Sequence, residues 1–239
     1  MKHASFLLLP IAFLALYGAH VLAAADMLPN LKALPASDIR IQNLADGTTL
    51  LRFSTTGWNA GTGPLELRAG EIDTGNGRQN VYQRIYDDAG ESKDTLAGTF
   101  VWHPTHNHFH FEDYATYLLQ PINAPGGSER LGAKTTFCVM DTTRVNTRLS
   151  GSPKKAVYAN CGSTVQGMSV GWGDTYGYQL DGQFIDVTNL PDGDYRLTIV
   201  LDPKNKLTES EETTDNTSFI DIHLAGGGVS VIGGKPGRR

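Results

Sequence analysis

A single all-β domain, a β-sandwich with long irregular loops and little helix, is the fold this sequence predicts, on three observations. Short runs rich in β-branched and aromatic residues recur between turn signals. No long stretch repeats apolar residues at helical spacing, and no internal repeat is visible. The 239 residues are 40% hydrophobic and only 19% charged, with three Trp, nine Tyr and nine Phe, enough for one sizeable core.

In chain order, Met1-Lys2-His3 and the apolar run Phe6–Leu16 read as the first two regions of a secretory signal. Ala23-Ala24-Ala25 offers a small-residue cleavage site, so residues 1–25 are expected to be removed and the mature chain to be secreted, periplasmic or extracellular. The run falls short of the roughly 20 apolar residues of a spanning helix, so no stable membrane insertion is expected after cleavage; an uncleaved anchor is the alternative. Lys2 is the one charged residue lost, which leaves 19 basic against 25 acidic groups and a formal charge of −6. That balance disfavours nucleic acid as a partner and is otherwise ordinary solubility charge.

Leu28–Pro35 is a Pro-punctuated lead-in. Asp38–Asn43, Thr48–Ser54 and, after the turn Gly61–Pro64, Leu65–Arg68 read as neighbouring strands. A polar loop, Glu71–Asn80, leads to Val81–Tyr86, and Asp87–Gly90 turns the chain toward a histidine-rich stretch, Trp102–Tyr117. That stretch is expected to run on as strand through Tyr114–Leu119, end at Pro121 and turn over Asn123–Ser128. Lys134–Met140 is the next β-type run, with Thr135, Phe137 and Val139 on one face and Lys134, Thr136 and Cys138 on the other.

From Asp141 to Tyr178 the periodicity fades into a Gly-rich loop of a length often found at functional sites. Gln183–Val187 and Tyr195–Leu201 flank the turn Pro191-Asp192-Gly193 and read as a hairpin. Asp202–Asn216 is an acidic loop and Ser218–Leu224 a last strand, so the domain is expected to span 26–224, with 225–239 a mobile Gly-rich tail. Cys138 and Cys161 are the two cysteines, and in an oxidising compartment a structural disulfide is the default, worth on the order of 3 kcal/mol. Two buried thiols or a thiolate metal site are the alternatives.

The chemistry concentrates in Trp102–Tyr117, which holds four of the seven histidines. On an extended strand His106, His108 and His110 share one face while Asn107, Phe109 and Phe111 share the other, so one side can bind metal and the other can pack. Neutral imidazole suits copper, zinc, iron and nickel, with Cu(II) the strongest divalent binder. Three protein ligands leave coordination positions open to water, oxygen or substrate, whereas a structural zinc site closes with four. Residue type leaves zinc open, and histidines at the edge of a core are the bland alternative. Glu112 follows His110 too closely for a cupin-type ligand set. His103, before Pro104, is open between a partner behind the ligands, a proton carrier and packing beside Trp102. Glu209, Glu211, Glu212, Asp215 and Asn216, with Asn30 from the lead-in, suit a hard cation such as Ca(II), against an equal reading as a solvated acidic loop.

Three separated motifs carry a resemblance. Trp102-His-Pro-Thr-His-Asn-His-Phe-His110, Lys134-Thr-Thr-Phe-Cys-Val-Met-Asp-Thr142, and Asp174-Thr-Tyr-Gly177 with Gln183-Phe-Ile-Asp-Val187 resemble the lysyl oxidase family in order and spacing, and the similarity covers most of Trp102–Leu224. It implies a Cu(II)-dependent amine oxidase with His106, His108 and His110 as copper ligands and a lysine tyrosylquinone made from Lys134 and Tyr176. The implied substrates are a primary amine, peptidyl lysine among the candidates, and molecular oxygen; the products are aldehyde, ammonia and hydrogen peroxide.

Without the resemblance, Tyr176 reads as a packed aromatic and Lys134 as a surface lysine. Burial would lower the lysine's pKa and free its amine as a nucleophile. Glycines around Tyr176 would let its ring move toward both copper and Lys134. Asp174, two residues from Tyr176, is the candidate base and Asp141 the alternative, with turn capping the ordinary role of either. The chain departs from vertebrate members in carrying Thr105 where they have a cysteine and in a shortened segment after His110. The rival reading is a non-enzymatic secreted module that binds copper or zinc; a zinc hydrolase lacks a convincing nucleophile and base.

Overall fold

The computed structural model describes residues 23–73, 75, 77–123, 129–211 and 214–235. Residues 1–22 of the expected signal, 124–128 of the Asn123–Ser128 turn, Glu212 and residues 236–239 of the tail lie outside the described residues. Among the described residues there is no helix, and none long and apolar enough to cross a membrane.

The lead-in and first alternating runs give β1 (Asp26–Met27), β2 (Leu31–Ala33), β3 (Ser37–Asn43) and β4 (Thr49–Asn59). A meander follows: β5 (Leu65–Asp73), β6 (Arg78–Asp87), β7 (Ser92–His103) and β8 (His108–Glu112). Next come β9 (Ala115–Pro121) and four short strands, β10 (Arg130–Leu131), β11 (Thr136–Phe137), β12 (Thr143–Arg144) and β13 (Val165–Met168). The last five are β14 (Trp172–Tyr176), β15 (Phe184–Asp186), β16 (Gly193–Leu201), β17 (Thr217–Ala225) and β18 (Gly228–Lys235).

These pair into three antiparallel sheets: β11-β8-β7-β6-β5-β13 with β1 on β6, β10-β9-β16-β17-β18, and β12-β14-β4-β15 with β2 and β3 also on β4. One core joins them. Phe53 of β4, Leu67 of β5, Phe100 of β7, Phe111 of β8, Tyr117 of β9 and Leu197 of β16 are all fully buried in it. Alternation does the sorting, as in β16, where Tyr195, Leu197, Ile199 and Leu201 are buried and the residues between them are not. The all-β fold expected from the sequence is observed, arranged in three antiparallel sheets.

Four expectations fail locally. Gln183–Val187 and Tyr195–Leu201 do not form a hairpin, because β15 pairs with β4 and β16 lies between β9 and β17. The long loop after Asp141 contains β12, β13 and β14, each paired to a distant strand or to one another. Lys134–Met140 is strand only at β11, paired to β8. The tail expected to be mobile is strand over Gly228–Lys235, because its backbone pairs with β17 from Phe219 to Ala225 even though its side chains are mostly exposed.

Candidate metal centre and active site

The β7–β8 hairpin builds the histidine cluster. Phe100 faces Phe111 and Trp102 faces Phe109 across it, with ring centroids 6.2 and 5.1 Å apart. Alternation sends His103, His108 and His110 to the opposite side. Pro104–Asn107 closes the hairpin, with the His106 and Asn107 amides donating to the His103 carbonyl and Asn107 at φ +56°. The expectation of one continuous extended segment is therefore corrected. Pro104 cannot donate to a ladder and Asn tolerates the left-handed region, so the chain turns there and brings His106 back over the histidine face.

His108 Nε2 lies 2.9 Å from His110 Nε2, and His106 Nδ1 lies 3.4 Å from the same atom. Two nitrogens each about 2.0 Å from one ion stand roughly 2.8–3.3 Å apart at ordinary ligand angles. Both separations from His110 Nε2 are close to those of ligands on a single ion. Thr136 Oγ1 meets His110 Nδ1 at 3.2 Å, orienting the ring so that Nε2 faces the cluster. Burial, followed by nearby Lys134, pushes the His110 imidazole down to about 3, and burial leads the lowering at His106 and His108, so all three favour the neutral, ligating form.

His103 belongs to the cluster too. Its ring stacks on His106 at 4.2 Å and tilts toward His110 at 4.6 Å, and ligand atoms of His103, His106 and His110 lie within 4.8 Å of one another. Its Nδ1 is buried without a hydrogen-bond partner. Of the three roles open to it from sequence, packing beside Trp102 is excluded by the side of the hairpin it takes.

Lys134 and Tyr176 meet beside the histidines. Lys134 is 8% exposed, and its Nζ stands 5.2 Å from the Tyr176 ring centroid and 5.1 Å from that of Phe137. Gly182, at φ +76°, makes room: a Cβ there would stand 3.0 Å from Lys134 Cβ. Burial lowers the Lys134 pKa, opposed by Asp181 and Asp174. Tyr176 is not in a mobile loop, as its glycine neighbours suggested, but on β14 opposite Thr55. Its hydroxyl donates to the Cys138 carbonyl and accepts from the Cys138 amide, both at 2.8 Å. Its backbone carbonyl accepts from the fully buried Gln183, which also binds Thr55 and Tyr117.

Asp174, the preceding inward residue of β14, is buried and accepts from the Met140 amide at 3.3 Å and Thr142 Oγ1 at 3.4 Å. Burial raises its pKa well above the carboxylate range, outweighing those two hydrogen bonds. Asp141 is engaged elsewhere: it accepts from the Val157, Tyr158 and Ser169 amides and the Ser169 hydroxyl, the capping role available to it from the start. Of the two aspartates, only Asp174 lines the cavity that the histidines line.

His106, His108, His110, Lys134, Asp174 and Tyr176 line one open cavity of about 350 Å³. Met140, Thr142, Cys161, Thr175 and Leu180 complete its wall and were not singled out as site residues by sequence. Cys138 and Cys161 form the expected disulfide, with Cα atoms 5.5 Å apart, so the bridge is part of the cavity wall.

The acidic loop folds against the lead-in. Glu209 accepts from the Leu31 amide and from Asn216 Nδ2, and Asp215 pairs with Lys32 at 2.9 Å. Asn30 Oδ1, Asp215 Oδ1 and Asn216 Oδ1 are buried with no hydrogen-bond partner. Burial raises the Glu209 carboxyl to about 7. Glu211 stays exposed. Buried oxygens left unpaired are costly, and a hard cation is the ligand they suit.

The sequence profile of the lysyl oxidase family matches residues 89–233, a span containing the histidine cluster, Lys134, Asp174 and Tyr176. The chain is 35% identical to lysyl oxidase homolog 1 of Homo sapiens over 137 residues, 57% of this chain and 22% of that protein. It is 35% identical to lysyl oxidase homolog 4 of Mus musculus over 114 residues, and 36% identical to homolog 2A of Danio rerio over 117. Those matches take in 47% and 48% of this chain but only 14% and 15% of the relatives, so it corresponds to a minor part of each. With the profile spanning more than half of its residues and both chemical motifs inside the match, the chain belongs to the lysyl oxidase family.

Proposed function

We propose that this protein is a secreted, copper-dependent oxidase of primary amines, peptidyl lysine among them, and that Lys134 and Tyr176 are the precursors of its quinone cofactor. The observation that carries the reading is the Lys134 amine 5.2 Å from the Tyr176 ring in the cavity the histidines line. Copper held by His106, His108 and His110 would supply, with oxygen, the oxidation of the Tyr176 ring that allows the Lys134 amine to bond to it, and the resulting lysine tyrosylquinone would convert amine to aldehyde with release of ammonia and hydrogen peroxide.

The chain's own residues account for the rest. Burial keeps a larger share of Lys134 as the neutral amine, the form able to bond to an oxidised ring. The Cys138 amide and carbonyl fix the Tyr176 hydroxyl, so the ring approaches Lys134 in one orientation. Asp174 would accept the substrate's α-proton at a carboxylate oxygen, and burial, by raising its pKa, makes the ionised carboxylate a stronger base. In the same reading residues 1–25 are the secretory signal, and Asn30, Glu209, Glu211, Asp215 and Asn216 hold a structural Ca(II).

Intact-mass analysis and peptide mapping of protein matured with copper and air test the assignment. Lys134 and Tyr176 are expected in one crosslinked peptide whose visible absorbance is lost to a carbonyl reagent, and the crosslink should be missing from the His108→Ala variant. Separate, unmodified Lys134 and Tyr176 peptides in protein that still oxidises amines would overturn it.

A further inference from the structure

The cavity holds a thioether with no part in that chemistry. Met140 is partly exposed and lines the cavity with Lys134, Asp174 and Tyr176. Its amide donates to Asp174 Oδ2 at 3.3 Å, which fixes the residue at the reacting end, and its sulfur lies 3.8 Å from Cys161 Sγ. The other described methionines differ in one respect each. Met168 is fully buried in the core, while Met27 is partly exposed on β1, beside β6 and outside the cavity.

We propose that Met140 is a self-oxidation site, where hydrogen peroxide formed in the cavity converts the thioether to a sulfoxide and turnover limits itself. The proposal rests on the amine oxidase reading, which supplies the peroxide. The sulfur lone pair attacks one peroxide oxygen as the O–O bond breaks; an S–O bond forms, and the second oxygen leaves as water with both protons. Sulfur loses two electrons and peroxide gains them. Peroxide born in the cavity meets Met140 before it is diluted, an effective-concentration advantage that neither Met27 nor Met168 shares. The product replaces a flexible apolar wall with a polar S=O group next to the Met140–Asp174 hydrogen bond, and it is reversible by methionine sulfoxide reductases.

The test uses matured protein turning over a primary amine with catalase present to destroy peroxide in bulk solution, followed by peptide mapping. Met140 sulfoxide is expected on the order of tenfold above Met27 sulfoxide, with Met168 unmodified. The rate should decline with the number of turnovers, recover on treatment with the reductases, and decline more slowly in Met140→Leu whatever that variant's initial rate. Equal oxidation of Met27 and Met140, or unmodified Met140 after peroxide has been released, overturns the proposal and leaves the amine oxidase reading intact. If no peroxide is released on amine addition, that reading fails first and self-oxidation with it. Added hydrogen peroxide then separates the two failures: preferential Met140 oxidation shows a reactive thioether without its internal source, and uniform oxidation removes that as well.

Discussion

Asp174 is buried on β14 with two hydrogen-bond donors, Met140 and Thr142, on its carboxylate. Its folded pKa lies well above the ordinary carboxylate value of 3.8, so over the intervening pH range the folded chain keeps a proton that the unfolded chain has released. Its contribution to stability is therefore fully present below the unfolded value and is lost as pH rises toward the folded one. Lys134, lowered from 10.5, works in the opposite sense: its contribution grows as pH rises from the folded value to the unfolded one. Comparing Asp174→Asn with the parent at each pH isolates the aspartate. The variant should lose about 10²–10⁴-fold in amine turnover. It should also gain stability relative to the parent as pH rises through the range above the unfolded value, by about 1–3 kcal/mol. Parallel denaturation midpoints across that range would show that Asp174 does not titrate as a buried acid.

At the scale of elements, β11 is two residues long and carries the contact between core and site. Phe137 packs edge-on against Tyr114, Tyr117 and Tyr176, with centroids 5.5, 6.1 and 4.9 Å away. Phe137→Ala should cost about 3–5 kcal/mol in urea unfolding with little change in slope, and should reduce the yield of the Lys134–Tyr176 crosslink. A loss under about 1 kcal/mol would mean that the neighbouring rings collapse into the space. This element was legible in part, since alternation separated Lys134, Thr136 and Cys138 from Thr135, Phe137 and Val139, and of the second set only Thr135, ahead of the strand, is exposed. Those two faces are the site and the core: Thr136 meets His110, Cys138 bonds Cys161, and Phe137 and Val139 are buried. β14 was not legible, because Trp172, Gly173 and Asp174 are buried in succession and a strand covered on both faces loses its period. The partners of β15 were hidden for another reason. Neighbours in sequence suggest a hairpin, whereas β4 recruits β15 through a register between positions more than 120 residues apart, which no local signal encodes. The histidine trio was legible as a set but not as a shape, since the turn depends on His103 pairing with His108.

The sheets of the whole molecule are tied together at a second place, far in sequence from the histidines. β2, on the β4 sheet, meets the loop between β16 and β17 of the five-stranded sheet: the Leu31 amide donates to Glu209, the Ala33 amide to the Asp215 carbonyl, and Lys32 pairs with Asp215. Within this seam Asn30, Asp215 and Asn216 each bury an unpaired oxygen, so the seam holds stability that a hard cation could recover. Ca(II) bound only by the folded chain at 100 times its Kd would add about 2.7 kcal/mol, or a rise of roughly 5–10 °C in Tm for a chain of this size. Mg(II), which keeps its own waters and demands tight octahedral geometry, should give a smaller rise at the same concentration. Glu209→Gln retains a carbonyl acceptor for the Leu31 amide but removes the charge, so its Tm should respond little to Ca(II) while the parent's responds fully. Scanning calorimetry of both proteins, with EDTA and then with Ca(II), makes the comparison. An equal rise in both would place the ion elsewhere, and no rise in the parent would leave Asp202–Asn216 an acidic loop joined to β2 by its hydrogen bonds and the Lys32–Asp215 pair.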